Sequence, residues 1–110
     1  MDAIKILILY HSGAGNTKLI AEKIYDSLRD IYEVEISHIN STYTTGRLQA
    51  FDLVIFGFPT HHAAPSLSMI EFVDNLNPFT TPANAFIYTT YGLYTGNSLR
   101  IFARMLREKN

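Results

Sequence analysis

The chain has 110 residues, of which 47% are hydrophobic and 17% charged, with a formal net charge of −1. That is room for one core but not two, in a composition too apolar for disorder. So small a charge gives no global pull toward nucleic acid or anionic membrane. The absence of cysteine excludes disulfides, thiolate nucleophiles, cysteine-ligated zinc and ordinary iron–sulfur clusters.

The apolar run Ile6 to Tyr10 is too short for a secretory signal and leads into a glycine loop. No run approaches the roughly 20 residues of a membrane span. The expected setting is therefore cytoplasmic, where the sequon Asn40-Ser41-Thr42 is a chance match. Ile4 to Tyr10 is β-branched and nearly continuous, as in a strand covered on both faces. Glycines follow, and then Thr17 to Ile31 sets Ile20, Ile24, Leu28 and Ile31 at helical spacing, with Lys18, Glu22, Asp26, Arg29 and Asp30 largely opposite. That pattern predicts an amphipathic helix.

Tyr32 to Ile39 alternates apolar and polar residues, which fits a half-covered strand nearer an edge. Asn40 to Arg47, rich in Ser, Thr, Asn and Gly, reads as a loop that can lead into a short turn of helix. Phe51 to Phe58 is a second doubly buried strand, expected to stop at Pro59. After Pro65, the residues Met69, Phe72, Val73 and Leu76 mark a helix face closed by Asn77-Pro78. Asn84 to Thr90 reads as a fourth, buried strand, and Leu99, Phe102, Met105 and Leu106 mark a last helix over Ser98 to Lys109. Arg100, Arg104 and Arg107 face outward there as a solvated face, with docking of an acidic partner the alternative.

This alternation implies a parallel sheet with helices on both faces. Right-handed crossovers then gather the strand-to-helix loops 11–17, 59–65 and 90–97 at one carboxyl edge. The first of these carries the chemistry. A helix start has backbone N–H groups without intrahelical partners and a partial positive charge, and glycines let an anion approach it. Ser12, Gly13, Ala14, Gly15, Asn16 and Thr17 form such a loop, with short polar side chains and no cation before Lys18. A nucleoside-triphosphate loop would need Lys after Gly15, where Asn16 stands. A dinucleotide fingerprint would need a third glycine where Lys18 stands, although Glu33 or Glu35 could mimic its ribose carboxylate. A glycine loop that merely turns a strand into a helix is the plain alternative.

The hydroxyl-rich loop resembles the FMN-phosphate loop of flavodoxins, whose pattern Ser/Thr-x-Thr-Gly-x-Thr is matched at Ser12, Gly15 and Thr17 and departed from at Ala14. Phe51 to His61 resembles the segment that enters the first flavin-side loop, and Asn84 to Asn97, with Thr89 to Asn97 at its end, resembles the second. The likeness covers nearly the whole chain and is greatest to flavodoxin domains fused to a ferredoxin-type iron–sulfur domain. It implies a three-layer α/β sandwich with a parallel sheet of about four strands in the order 2-1-3-4. One domain over residues 1–110 is expected, shortened by the usual fifth strand and last helix. The fourth strand would then be an open edge, which suits either an excised fragment or a homodimer that covers it.

By the same resemblance the cofactor is FMN, held by residues 12–17, Pro59, Thr60, His61, His62, Thr90, Tyr91, Gly92, Tyr94, Gly96 and Asn97. Tyr91 and Tyr94 are candidates for a ring face, and His61 or His62 for an edge or a second face; each tyrosine is equally an ordinary core-edge residue. The adjacent His61 and His62 point opposite ways in extended chain and lack a third ligand, so no metal is expected. A hydrolase built on Ser12 or Ser66 lacks the nucleophile elbow. The expected function is electron transfer between protein partners, without a catalytic side chain. An FMN-dependent reductase of quinones using a nicotinamide donor, and an interaction module that has lost flavin, are the rivals.

Overall fold

The computed structural model describes residues 4–12, 16–61, 64–81, 84–91 and 96–109. Strand β1 (Lys5–Tyr10) leads to helix α1 (Asn16–Leu28) and strand β2 (Glu33–His38). One turn of helix, α2 (Thr45–Leu48), precedes β3 (Leu53–His61), a two-residue strand β4 (Ala64–Pro65) and α3 (Leu67–Asp74). Strand β5 (Ala85–Thr90) and helix α4 (Ser98–Lys109) follow.

Four strands run parallel in the order β2-β1-β3-β5, which is the expected 2-1-3-4 arrangement with β5 as its fourth strand. The fifth, β4, was not anticipated. It folds back antiparallel on the end of β3, pairing Thr60 with Pro65 and His61 with Ala64. Pro59 accordingly does not stop β3. It lies past the last bond of the β1 ladder, His11 N–H to the Gly57 carbonyl at 3.0 Å, where a residue without an N–H costs little.

Because strand residues alternate faces, β1 and β3 feed two cores. Leu7, Leu9, Val54, Phe56 and Phe58 pack with Met69, Val73, Phe102 and Leu106 of α3 and α4. Ile6, Ile8, Tyr10 and Ile55 pack under Ala21 of α1. Part of the face that the isoleucines marked turns inward, with half-buried Ile24 and Leu28 packing against this cluster. The buried residues of the helix are Thr17 and Ala21, whereas Ile20 is exposed, and so is Ile31, beyond the end of the helix. Small side chains let the helix approach the sheet, which outweighs the burial of Ile20.

Two further expectations need correction for the same reason, that cover decides burial. Leu99 is exposed on α4, where Ser98, Phe102 and Leu106 face inward. Phe86 of β5 is 57% exposed rather than buried.

Candidate functional site

Parallel pairing brings the carboxyl ends of β1, β3 and β5 side by side, as the register Tyr10–Gly57 and Pro59–Thr90 shows. Hydroxyl groups stitch these ends together. The buried Thr17, one residue into α1, has its hydroxyl 2.7 Å from that of Thr90, at the end of β5. Its carbonyl accepts from the Tyr88 phenol at 2.9 Å. Thr60, near the end of β3, is hydrogen-bonded to the hydroxyls of Thr89 (2.6 Å) and Ser98 (2.8 Å). Thr89 also reaches the Phe58 carbonyl at 2.8 Å. These contacts set the start of α1, the end of β3 and the start of α4 against one another.

Tyr88 explains Gly57. A Cβ on Gly57 would lie 2.1 Å from Cζ of Tyr88, so only glycine lets that ring cross the strand and reach α1. Burial first, and then Tyr10, raise the Tyr88 phenol well above its ordinary value; it remains a neutral donor. Gly96, ahead of α4, has a positive φ of 56°, a left-handed turn that favours glycine. The Asn97 carbonyl then accepts from Ile101 N–H at 2.8 Å in the first turn of α4.

A histidine group occupies the other flank. The Ser12 N–H donates to Nε2 of His38 across 3.5 Å, and His38 Nδ1 lies 3.0 Å from the Ile39 carbonyl. The His38 ring meets Tyr10 and His11 edge-on, with centroids 5.4 and 5.5 Å apart. His11 Nδ1 is 2.8 Å from Oγ of Ser66. Ser66 sits at the N-cap position of α3 yet makes no side-chain cap there, and its hydroxyl serves His11 instead. Burial, then His38 and His61, hold the His11 imidazole below its ordinary value. Among the described residues no three acidic or histidine side chains are gathered to hold a metal ion.

Of the residues marked in the sequence, Ser12, Thr17, Thr60 and Thr90 enter these networks. Pro59 is half-buried beside Thr60, whereas Asn16, His61, Tyr91 and Asn97 are exposed at the same edge. Gly13, Ala14, Gly15, His62, Gly92 and Tyr94 lie outside the described residues. Sequence reasoning missed His11, His38, Ser66 and Tyr88. A signal for His38 was present: β2 is parallel too, so its end belongs to the same edge, opposite Tyr10.

The donor set suits a phosphate ester with a planar ring. Neutral hydroxyl and amide donors flank a helix start, and Tyr91, just past the end of β5, is 57% exposed. A separate open groove of about 450 Å³, lined in part by Tyr43, Thr45, Glu71 and Phe72, holds none of these residues. Glu71 is its one carboxylate, set among hydroxyl and amide side chains such as Ser68 and Asn75.

Comparison with known proteins gives the family and the fold. Residues 7–103 match the family model described as a flavodoxin domain. A flavodoxin from Clostridium saccharobutylicum is 31% identical over 77 residues, 69% of this chain and 48% of that protein. The chain thus spans about half the length of this curated relative. The solution structure of two-electron reduced Megasphaera elsdenii flavodoxin superposes with a TM-score of 0.83 at 20% identity, covering 96% of this chain and 78% of that one. The crystal structure of a Fusobacterium nucleatum flavodoxin bound to flavin mononucleotide gives 0.75 at 12% identity, over 96% and 66% of the two chains. No described helix is long and apolar enough to cross a membrane. With the family model covering nearly all of both cores and the stitched sheet edge between them, the chain belongs to the flavodoxin domain family.

Proposed function

We propose that this chain binds FMN at the carboxyl edge of its sheet and serves as an electron-transfer flavoprotein. The observation that carries the reading is the hydroxyl stitching of β1–α1, β3 and β5–α4 into one rim, led by the contact between Thr17 and Thr90. FMN, when bound, supplies the electron chemistry. The protein's part is to hold it. Backbone amides at the start of α1, with Ser12 and Asn16, would hold the phosphate, whose charge the helix dipole would favour. His61, the last residue of β3, and Tyr91, just after β5, would border the ring. No side chain acts as acid or nucleophile.

Electrons would pass to or from a separate redox protein. Two copies pairing along β5 belong to the same proposal, since β5 has β3 alone as its strand neighbour among the described residues; a strict monomer in concentrated sedimentation runs would remove that part. Titration with FMN while following flavin fluorescence is the direct test. Quenching is expected, with affinity at least about tenfold above that for riboflavin, which lacks the phosphate and its charge-assisted bonds. Equal affinity for the two, or no binding, would overturn the reading.

A further inference from the structure

We propose that the arginine face of α4 is a docking surface for an acidic protein, and that it leads this partner to the rim of the proposed flavin site. The inference rests on the electron-transfer reading and adds to it the surface used and the charge of the partner. Helix α4 carries Arg100, Arg104, Arg107 and Lys109 against Glu108 alone, while the rest of the chain holds 5 cations and 9 anions. Lys109 is drawn into the fold, where its ammonium donates to the Asp74 carbonyl at 3.0 Å. The arginines stand at spacings of four and three, hence on one stripe, opposite the buried Ser98, Phe102 and Leu106. All three are exposed. The ion pairs among the described residues, Arg29 with Asp26 and Arg47 with Glu35, include none of them.

Helix stability does not account for this stripe. Cations suit the carboxyl end of a helix dipole, which covers Arg107, but Arg100 lies in the first turn, at the positive end. Its spacing to Arg104 also sets two like charges together, which weakens a helix. Leu99 and Ile101, on either side of Arg100 in the chain, are exposed as well. This turn abuts the rim, since the Ser98 hydroxyl is 2.8 Å from that of Thr60. Arg107 stands about 10 Å farther along the axis. A partner seated on the stripe therefore reaches the site, with apolar contact at that end and charge along the rest. That extent suits the small interfaces of redox encounters. Glu108 on the same helix, and the exposed Glu71 and Asp74 of neighbouring α3, oppose an extended polyanion such as nucleic acid or a membrane surface. A protein with a confined acidic face can match the stripe alone.

The test follows one electron from dithionite-reduced FMN in the chain to a ferric haem, which becomes ferrous, in two cytochromes of opposite surface charge. One is an acidic b-type protein and the other a basic c-type protein. Arg100→Gln with Arg104→Gln should slow reduction of the acidic cytochrome about tenfold at low salt, within the range that electrostatic steering supplies. The loss should vanish at about 1 M salt, where the screening length is about 3 Å. Reduction of the basic cytochrome should not slow. Leu99→Ser should slow the acidic reaction about threefold at every salt concentration, as for an ordinary apolar contact. Lys23→Gln with Arg29→Gln removes the same charge from the exposed side of α1 and should leave the acidic reaction within about twofold of wild type. An equal loss in that control, or no loss in the arginine variant, would overturn the surface while leaving FMN binding intact. Arginine-dependent binding to vesicles of phosphatidylserine and phosphatidylcholine, with the acidic cytochrome indifferent to the arginines, would overturn it in favour of a membrane. If the chain takes up no FMN, the flavin reading fails by itself. Association of the acidic cytochrome with the FMN-free chain then decides: dependence on the arginines supports the surface, and independence overturns it.

Discussion

Toward α3 and α4 the sheet presents Leu7, Leu9, Val54, Phe56 and Phe58, and the helices answer with Met69, Val73, Phe102 and Leu106, all buried. Toward α1 it presents Ile6, Ile8, Tyr10 and Ile55, and the helix answers with Ala21, backed by half-buried Ile24, Tyr25 and Leu28. The first face is aromatic and closed. The second is thinner, carries tyrosines with polar ends, and leaves Phe86 and Ile31 in solvent. Yet α1 is the helix whose start faces the proposed phosphate. Its position is fixed less by bulk packing than by Tyr88 bonding the Thr17 carbonyl and Thr90 bonding the Thr17 hydroxyl. The closed face holds the fold together, and the thinner one sets the site.

The largest effect should come from opening the closed face. Phe102 is fully buried and packs against Phe56 and Phe58, with ring centroids 5.4 and 4.8 Å away. Phe102→Ala should cost about 3–5 kcal/mol in urea unfolding, a large share of the roughly 5–15 kcal/mol a domain of this size has. The matching cut on the other face, Ile24→Ala, should cost about 1–2 kcal/mol, because a half-buried side chain leaves less of a cavity. Equal losses would mean that the two faces do not differ as described.

An intermediate effect is expected where the α1 face admits no extra atom. Gly57→Ala places a methyl group 2.1 Å from Cζ of Tyr88, and the ring must leave its bond to Thr17. A cost of about 2 kcal/mol is expected, as for other overpacked sites, together with weakened FMN binding as the start of α1 shifts. Combined with Tyr88→Leu, the two losses should be clearly less than additive. Additive losses would show that Tyr88 is not what excludes a side chain at Gly57.

The sequence made the order of elements legible because buried parallel strands are long apolar runs, and β1 and β3 are such runs. It misled in part on α1, where Ile24 and Leu28 do pack inward but Ile20 is exposed and approach to the sheet selected Thr17 and Ala21 for full burial. A period says that a helix has two sides. It does not say whether size or closeness decides which one turns inward. At the site, the loop residues Ser12, Thr17, Thr60 and Thr90 were legible from their place at strand ends. Their mutual bonds were not, since hydroxyls 73 residues apart meet only through the register of β3 with β5. His38 was overlooked because β2 is followed by no long helix, and a loop without that helix was not counted at the edge.

The smallest effect lies where the closed face runs out, at His11 behind Ser66. Burial, followed by the influence of His38 and His61, keeps the His11 imidazole below its ordinary 6.5. The folded chain therefore takes up this proton less readily than the unfolded chain does. The stability this represents is whole above the unfolded value and is lost as pH falls through it toward the folded one. Thermal unfolding of wild type should thus drop in Tm between about pH 7.5 and 5.5, the range in which a histidine of this kind changes charge. His11→Asn, which keeps a polar atom for Ser66, should flatten that drop by about 2 °C, a modest figure because the ring is only partly shielded from water. An equally steep drop in the variant would move the acid sensitivity to another group. A flattened one would place it at the edge of the sheet, away from both cores, on the same rim that His38 borders.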